Sequence, residues 1–203
     1  MALYLVRHGE TDWNRDKRFQ STTEVPLNEK GIAQAKAIRD EFRRRGISFC
    51  TARCSPLSRA VRTAQIILEE TSTAPIVDPS FIEISMGEYE GQSEADLERC
   101  YGEAYKTWRR SHYTLAPPGG EDVIGRSERV RPALLKLTQA ASTGEVLIVA
   151  HQAVNMAMKV ALSGRRDLES VRSFRQNNDE VDIWDMAAGR RLEQLRVVLP
   201  AGA

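Results

Sequence analysis

The chain has three histidines, and two of them directly follow its two most apolar runs: "LYLV" leads through Arg7 into His8-Gly9, and "VLIVA" ends at His151-Gln152. A single histidine at a strand end is ordinarily a loop residue bonded to nearby backbone. Two at matching ends point to a shared crevice if their strands are neighbours, because ligands of open α/β sheets bind outside the carboxyl ends of the strands. The charges around them are of one sign. Arg7 adjoins His8, while Arg59 and Arg62 stand three residues apart on one face of a segment that opens at Pro56, with Arg59 near its positive end. Arg62 reads as a solvated charge. Guanidinium groups offer paired donors matched to phosphate oxygens, and a helix N-terminus adds free N–H groups, so the set suits an anion.

Such residues need a sheet to aim them. Strand-length apolar runs alternate with segments of helical period, which predicts an α/β fold: a mostly parallel central sheet with helices on both faces. "ALYLV", "SFCTARCS" and "EVLIVA" read as strands. "LNEKGIAQAKAIRDEFRRRG" reads as a helix capped by Asn28, with Ile32, Ala35, Ile38 and Phe42 on its buried face and Gly46 as its stop. "PLSRAVRTAQIILEE" reads as a helix capped by Ser55. Extended pieces are expected at Ile76–Val77 and Phe81–Ile84, a polar helix over Ser93–Arg110, a loop at "LAPPGG", a helix over Asp122–Ala140 kinked at Pro132, and another over Ala153–Leu162. The tail, "EVDIWDM" and "RLEQLRVV" about Ala188-Gly189, predicts a hairpin.

At 203 residues the chain suits one domain, 1–203, with a small cap segment at about 85–122. Lys+Arg 29 against Asp+Glu 28 leaves no basic excess for nucleic acid. No apolar run is long enough to span a bilayer and no secretory signal opens the chain, so no membrane partner is expected and the expected location is cytoplasmic. Cys50, Cys54 and Cys100 read as buried reduced thiols rather than metal ligands.

Taken together, "LVRHGETDWN", "SPLSRAVRTA", "FIEISMGEYEG" and "IVAH" in this order resemble the histidine phosphatase superfamily, the phosphoglycerate mutase-like family, over most of the chain. The resemblance implies His8 as the nucleophile that becomes phosphohistidine, Arg7, Asn14, Arg59 and His151 as holders of the phosphoryl group, and Glu83 as proton donor. It implies no cofactor and no metal. His151 is expected to act protonated, beside Arg7 and Arg59.

The chain also departs from the family pattern. "RFQSTTEVPL" has Ser21 in place of a glycine and Glu24 in place of an aspartate, in a loop that usually touches substrate, so Gln20 and Ser21 join Asn14 as candidate substrate-binding residues. Gln152 follows His151 where glycine is common, and its side chain would crowd or hydrogen-bond the phosphate site. The segment between Glu83 and the second histidine strand is compact beside that of phosphoglycerate mutases, which favours a phosphatase. The expectation is a metal-independent phosphomonoesterase acting on a small phosphorylated metabolite, with room for a homodimer. A mutase that returns the phosphoryl group to bound product, and a non-catalytic phospho-ligand or partner-binding module, are the alternatives. His112, in "RRSHY", reads as exposed rather than catalytic.

Overall fold

The computed structural model of the chain describes residues 1–111, 113–140 and 144–199; His112 lies outside the described residues. The strands are β1 (Ala2–Arg7), β2 (Phe49–Cys54), β3 (Pro75–Val77), β4 (Glu145–Ala150), β5 (Glu180–Asp185) and β6 (Arg190–Arg196). They form one sheet of order β3-β2-β4-β1-β5-β6. The first four run parallel to one another, and the C-terminal hairpin β5-β6 adds antiparallel to β1. The helices are α1 (Asp12–Arg15), α2 (Glu29–Arg44), α3 (Ser58–Ile67), α4 (Glu94–Tyr101), α5 (Glu103–Ser111), α6 (Val123–Ala140), α7 (Gln152–Ser163) and α8 (Leu168–Ser173).

The two central strands are buried on both faces, as continuous apolar runs require. In β1, Leu3 and Leu5 face a core shared with α6 and α7 through Val130, Leu134, Met156 and Val160. Tyr4 and Val6 face the opposite core, with Ile38 and Phe42 of α2 and Ala60, Ala64 and Ile67 of α3. Each such aliphatic side chain taken out of water contributes about 1.5–3 kcal/mol. This double cover fixes the pairing register, because a one-residue slip would exchange the two faces. In that register Arg7 lies opposite Ala150, so the residues that follow them, His8 and His151, leave the sheet side by side.

α2 begins as expected, with Asn28 Oδ1 accepting from the Gly31 N–H at 2.9 Å, but Ile32 is only half-buried and Gln34 takes a place on the inner face instead. Gly9 and Gly31 meet backbone to backbone: a Cβ on Gly9 would fall 2.2 Å from the Gly31 carbonyl oxygen. α3 starts at Ser58 and is not capped by Ser55; the carboxylate of Glu24 takes that role, accepting from the Ser58 N–H at 3.0 Å and from its hydroxyl. The Phe81–Ile84 stretch is not extended throughout, since Pro79–Phe81 forms a single 3-10 turn capped by Asp78. The polar segment after Ser93 is two helices, α4 and α5, separated at Gly102 with φ +50°. Along 85–122, Tyr89, Tyr105, Trp108 and Tyr113 pack edge-on and stacked against one another, with Phe19 joining them. α6 runs through Pro132, which cannot donate to the carbonyl four residues back. α1 and α8 are additions to the sequence reading. Of the cysteines only Cys54 is buried, its thiol pushed up to about 11 by burial, whereas Cys50 and Cys100 are exposed. Among the described residues no helix is long and apolar enough to cross a membrane.

Candidate active site

His8 sits one residue beyond β1 and continues its ladder, the His8 N–H donating to the Ala150 carbonyl at 2.9 Å. The His8 carbonyl accepts from Asn178 Nδ2 at 2.6 Å, and the next N–H, that of Gly9, donates to Thr63 Oγ1 at 3.0 Å. The side chain is 3 % exposed, with Nδ1 2.7 Å from the Gly9 carbonyl oxygen. A carbonyl only accepts, so Nδ1 carries the proton and Nε2 keeps its lone pair.

The His151 ring lies 5.0 Å from that of His8, centroid to centroid, tilted by 60°. His151 Nε2 is 2.7 Å from Ser55 Oγ, and Ser55 Oγ already accepts from the Leu57 N–H at 3.3 Å. Ser55 Oγ keeps its proton and one lone pair for Nε2, and His151 Nδ1 is a buried atom with no partner among the described residues.

Arg59, the second residue of α3, is fully buried. It donates from Nη1 to the Thr23 carbonyl at 2.9 Å and from Nη2 to the Ser21 carbonyl at 2.6 Å, while Nε is unpartnered. One turn on, Thr63 Oγ1 donates to the Arg59 carbonyl at 2.7 Å, tying this turn of α3 to the loop that carries His8. Arg7 donates to the Gln176 carbonyl at 3.3 Å and also keeps an unpartnered Nε. Glu83 is 5 % exposed and lies at the N-terminus of α7: Oε1 accepts from the N–H groups of Ile84 and Val154, each at 2.9 Å, and Oε2 from that of Ala153 at 3.1 Å. An anion there is favoured by the free N–H groups of the first turn.

Burial and like charge set the protonation states. Both histidines are held well below 6.5, first by burial and then by Arg59, with Arg7 also acting on each and His8 itself on His151. With no anion beside it His151 is held toward its neutral form, and a bound phosphoryl group would favour the protonated form expected during transfer. Burial pushes the Glu83 carboxyl up against the three N–H donors and Arg59 that pull it down. Burial also lowers Arg7, and brings Arg59 down to about 10.

A cleft of about 270 Å³ opens over this floor, lined among others by Arg7, His8, Asn14, Gln20, Glu83 and Gln152. Arg59 and His151 lie fully buried rather than in its lining. Asn14 belongs to a capping box with Thr11, and Gln20 Oε1 accepts from Thr11 Oγ1 at 2.9 Å, leaving Gln20 Nε2 buried without a partner. Ser21 is away from the cleft lining: fully buried, its hydroxyl donates to the Ile84 carbonyl at 2.8 Å and accepts from the Met86 N–H at 3.2 Å. It holds the Glu83 loop to the Gln20 loop instead of presenting a free hydroxyl. Gln152 Oε1 accepts from the Gln176 N–H at 3.3 Å, so this side chain turns toward the 174–178 segment. Arg62 is not among the residues that line the cleft.

Several residues of the site escaped sequence reasoning. Ser55 read as a cap, and only the chain crossing reveals it as the partner of His151. Thr63 carried a usable signal, since it stands four residues after Arg59 on the same helical face. Gln176 and Asn178 had only a weak one, the polar run "RQNN" before a strand.

The profile of the histidine phosphatase superfamily (branch 1) matches residues 3–197. A 2,3-bisphosphoglycerate-dependent phosphoglycerate mutase of Mesorhizobium japonicum is 36 % identical over 177 residues, 84 % of this chain and 85 % of that protein. The adenosylcobalamin/alpha-ribazole phosphatase of Escherichia coli is 30 % identical over 81 % of this chain and 80 % of that protein. Among solved structures, the alpha-ribazole phosphatase of Shigella flexneri superposes with a TM-score of 0.80 at 29 % identity, covering 98 % of this chain and 96 % of that one. A mycobacterial glucosyl-3-phosphoglycerate phosphatase in complex with VO3 gives a TM-score of 0.81 at 27 % identity, covering 90 % of this chain and 91 % of that one.

Proposed function

The chain belongs to the histidine phosphatase superfamily, and from that premise we propose that it is a phosphomonoesterase that hydrolyses a small phosphorylated metabolite through a phosphohistidine at His8. The observation that carries this reading is the tautomer of His8. Its Nδ1 proton is engaged by the Gly9 carbonyl, so Nε2 is a neutral nucleophile set among Arg7, Arg59 and the unpartnered Nδ1 of His151.

Nε2 of His8 attacks phosphorus as the bond from phosphorus to the leaving oxygen breaks. Glu83, in its acid form, gives its proton to that oxygen; Oε2, which accepts a single N–H, has the capacity to carry it. Arg7, Arg59 and His151 stabilise the equatorial oxygens, and Asn14 and the free Gln20 amide add donors at the rim. A water then attacks the phosphohistidine while the Glu83 carboxylate takes its proton; the bond from nitrogen to phosphorus breaks, its electron pair returns to Nε2, and inorganic phosphate leaves. No divalent ion enters this scheme, so turnover is expected to be indifferent to chelators.

A mutase is the second reading, supported by the name of the Mesorhizobium relative. The three relatives above that are named as phosphatases favour hydrolysis. The deciding experiment is a phosphate-release screen of the wild type and His8→Ala over phosphorylated metabolites, with a non-acidic quench to trap the phosphoramidate. Release by the wild type, phosphate on His8, and loss of essentially all turnover in His8→Ala with an unchanged fold are the expected results. Transfer to an acceptor with little free phosphate would make the protein a mutase, and residual turnover above a few per cent in His8→Ala would remove His8 as nucleophile.

A further inference from the structure

Arg126, the fourth residue of α6, is a buried cation that takes no part in the steps above. Its side chain is 3 % exposed, and it stands in the first turn of its helix, where the macrodipole disfavours positive charge. What offsets these two costs lies in the loop that carries Glu83. From Nη2, Arg126 donates to the Ile82 carbonyl at 2.6 Å and to the Ser80 carbonyl at 3.2 Å. Its Nη1 is 3.8 Å from Glu121 Oε2, and its Nε is buried without a partner among the described residues. Burial weakens its hold on its proton, and the charge of Glu83 strengthens it.

Residues 82–86 belong to no helix or strand, so no regular ladder holds them and their peptide groups need partners of their own. The Ile82 carbonyl is part of the peptide that enters Glu83, and a guanidinium donor grips it more strongly than a neutral group would. Downstream, the Ser85 N–H donates to Glu121 Oε2 at 3.2 Å and the Ser85 carbonyl accepts from the Glu121 N–H at 2.9 Å. Glu121 is in turn paired with Arg129 of α6. The chain is therefore clasped on both sides of Glu83, by Arg126 before it and by Glu121 after it, while the carboxyl itself reaches α7. The charge of Glu83 acts on Arg7, Arg59, Tyr113 and Arg126. Arg7 and Tyr113 line the cleft and Arg59 serves the transferring oxygens, whereas Arg126 is outside the lining and meets the reaction only through Glu83 and, by charge alone, His151.

We infer that Arg126 is a positioning residue for proton transfer: by holding the Ser80 and Ile82 carbonyls, opposite the grip of Glu121 on Ser85, it fixes the backbone at Glu83 so that the carboxyl reaches the leaving oxygen. This rests on the reading of Glu83 as proton donor and extends it to a residue outside the cleft. A general acid must come within about 2.6–3.2 Å of the oxygen it protonates and contributes about 10²–10⁴-fold when it does, so a loop displaced by about 1 Å forfeits much of that gain.

The test is a double-variant cycle read with two esters: the alkyl phosphate turned over fastest in the phosphate-release screen, and p-nitrophenyl phosphate, whose leaving group needs no proton. Arg126→Met should lower kcat for the alkyl ester by roughly tenfold or more, and for the aryl ester by less than about threefold. Made in a Glu83→Gln protein, the same change should cost the alkyl ester less than about threefold, because the acid that Arg126 places is already gone. Arg126→Lys, which keeps one charged donor, should fall between Arg126→Met and the wild type on the alkyl ester, and where Arg126→Met does not fold it carries the cycle in its place. Equal losses on both esters, as an effect through His151 or through the fold at large would give, overturn the inference. So does a loss in the Glu83→Gln background as large as in the wild type. Both outcomes leave Glu83 as proton donor so long as Glu83→Gln alone still separates the esters; if Glu83→Gln slows both alike, the proton-donor reading fails and takes this inference with it.

Discussion

Two of the groups of buried charge in this molecule are built on opposite plans. Under the sheet's α7 face, Lys159 and Asp182 are both fully buried and joined to each other; Lys159 Nζ also donates to the Phe174 carbonyl at 2.9 Å, and Arg191 approaches the second Asp182 oxygen at 3.5 Å. Charge is cancelled within the group. At the ends of β1 and β4, Arg7, His8, Arg59 and His151 put like charge against like, and leave Arg7 Nε, Arg59 Nε and His151 Nδ1 buried without partners. Unpaired buried donors cost free energy, and these three are gathered at one cleft, where a ligand can complete them. The first group is a closed circuit that fastens β5 to α7. The second is open, and an anion closes it.

The largest effect should come from opening the closed group. Lys159→Met strands a buried carboxylate, so it should lower stability by about 3–5 kcal/mol, whereas Lys159→Met with Asp182→Leu should recover much of the loss. Chemical denaturation of both variants checks this, and a double variant no better than the single one would mean that the pair is not self-contained. Turnover of the Lys159→Met molecules that remain folded should fall far less than in a variant of the open group.

In the open group the loss falls mainly on turnover. Arg59→Ala strands the Thr23 and Ser21 carbonyls, which should lower stability by about 1–3 kcal/mol, and should slow turnover on the order of a hundredfold or more, by analogy with a lost oxyanion donor. Steady-state kinetics at saturating substrate decides it, and a loss confined to KM would make Arg59 a binding group only. Glu83→Gln should separate substrates. An alkyl phosphate, whose leaving oxygen needs the proton, should lose much more rate than p-nitrophenyl phosphate, whose phenolate departs unaided. Equal losses would recast Glu83 as the residue that anchors the first turn of α7.

The smallest effect is on pH dependence. His8 and His151 are held well below 6.5 in the folded protein, so the unfolded chain takes up protons that the fold refuses. Their contribution is fully present above about pH 6.5 and is lost as pH falls below it, at up to about 1.4 kcal/mol per unit for each. Glu83, raised by burial, acts in the other direction above 4.5, losing its contribution as pH rises through its folded value. Melting temperatures between pH 5 and 7.5 should therefore decline toward acid, and saturating phosphate should flatten that decline because an anion restores the histidines' affinity for protons. A slope that phosphate does not alter would mean that the anion settles away from the histidines.

What could be read from the sequence follows from the range of each interaction. The histidines at β1 and β4 were legible because strand ends are local features and a parallel pair places equivalent ends together. Arg59 was legible from helical spacing, and Thr63 was within reach of the same argument. Glu83 was found only through resemblance, since its seat on α7 is made by N–H groups 70 and 71 residues away. Ser55 and Ser21 were misread for a related reason: a serine before a helix and a serine in a substrate loop each have a local role by default, and contacts 96 and 63 residues distant overrode it. The helix expected from Ser93 onward failed at a single residue, Gly102, whose positive φ turns the chain between α4 and α5.

The contact between Gly9 and Gly31 gives the molecule a reference point. A Cβ on Gly31 would come within 2.1 Å of the Glu10 carbonyl oxygen, so neither loop nor helix can shift alone. The position of the His8 nitrogen is thereby inherited from the seating of a sixteen-residue helix on the sheet's other core. Errors of alignment in α2, caused by a badly packed Ile38 or Phe42 far from any phosphate, would be transmitted through two bare backbones and emerge as a mis-aimed nucleophile.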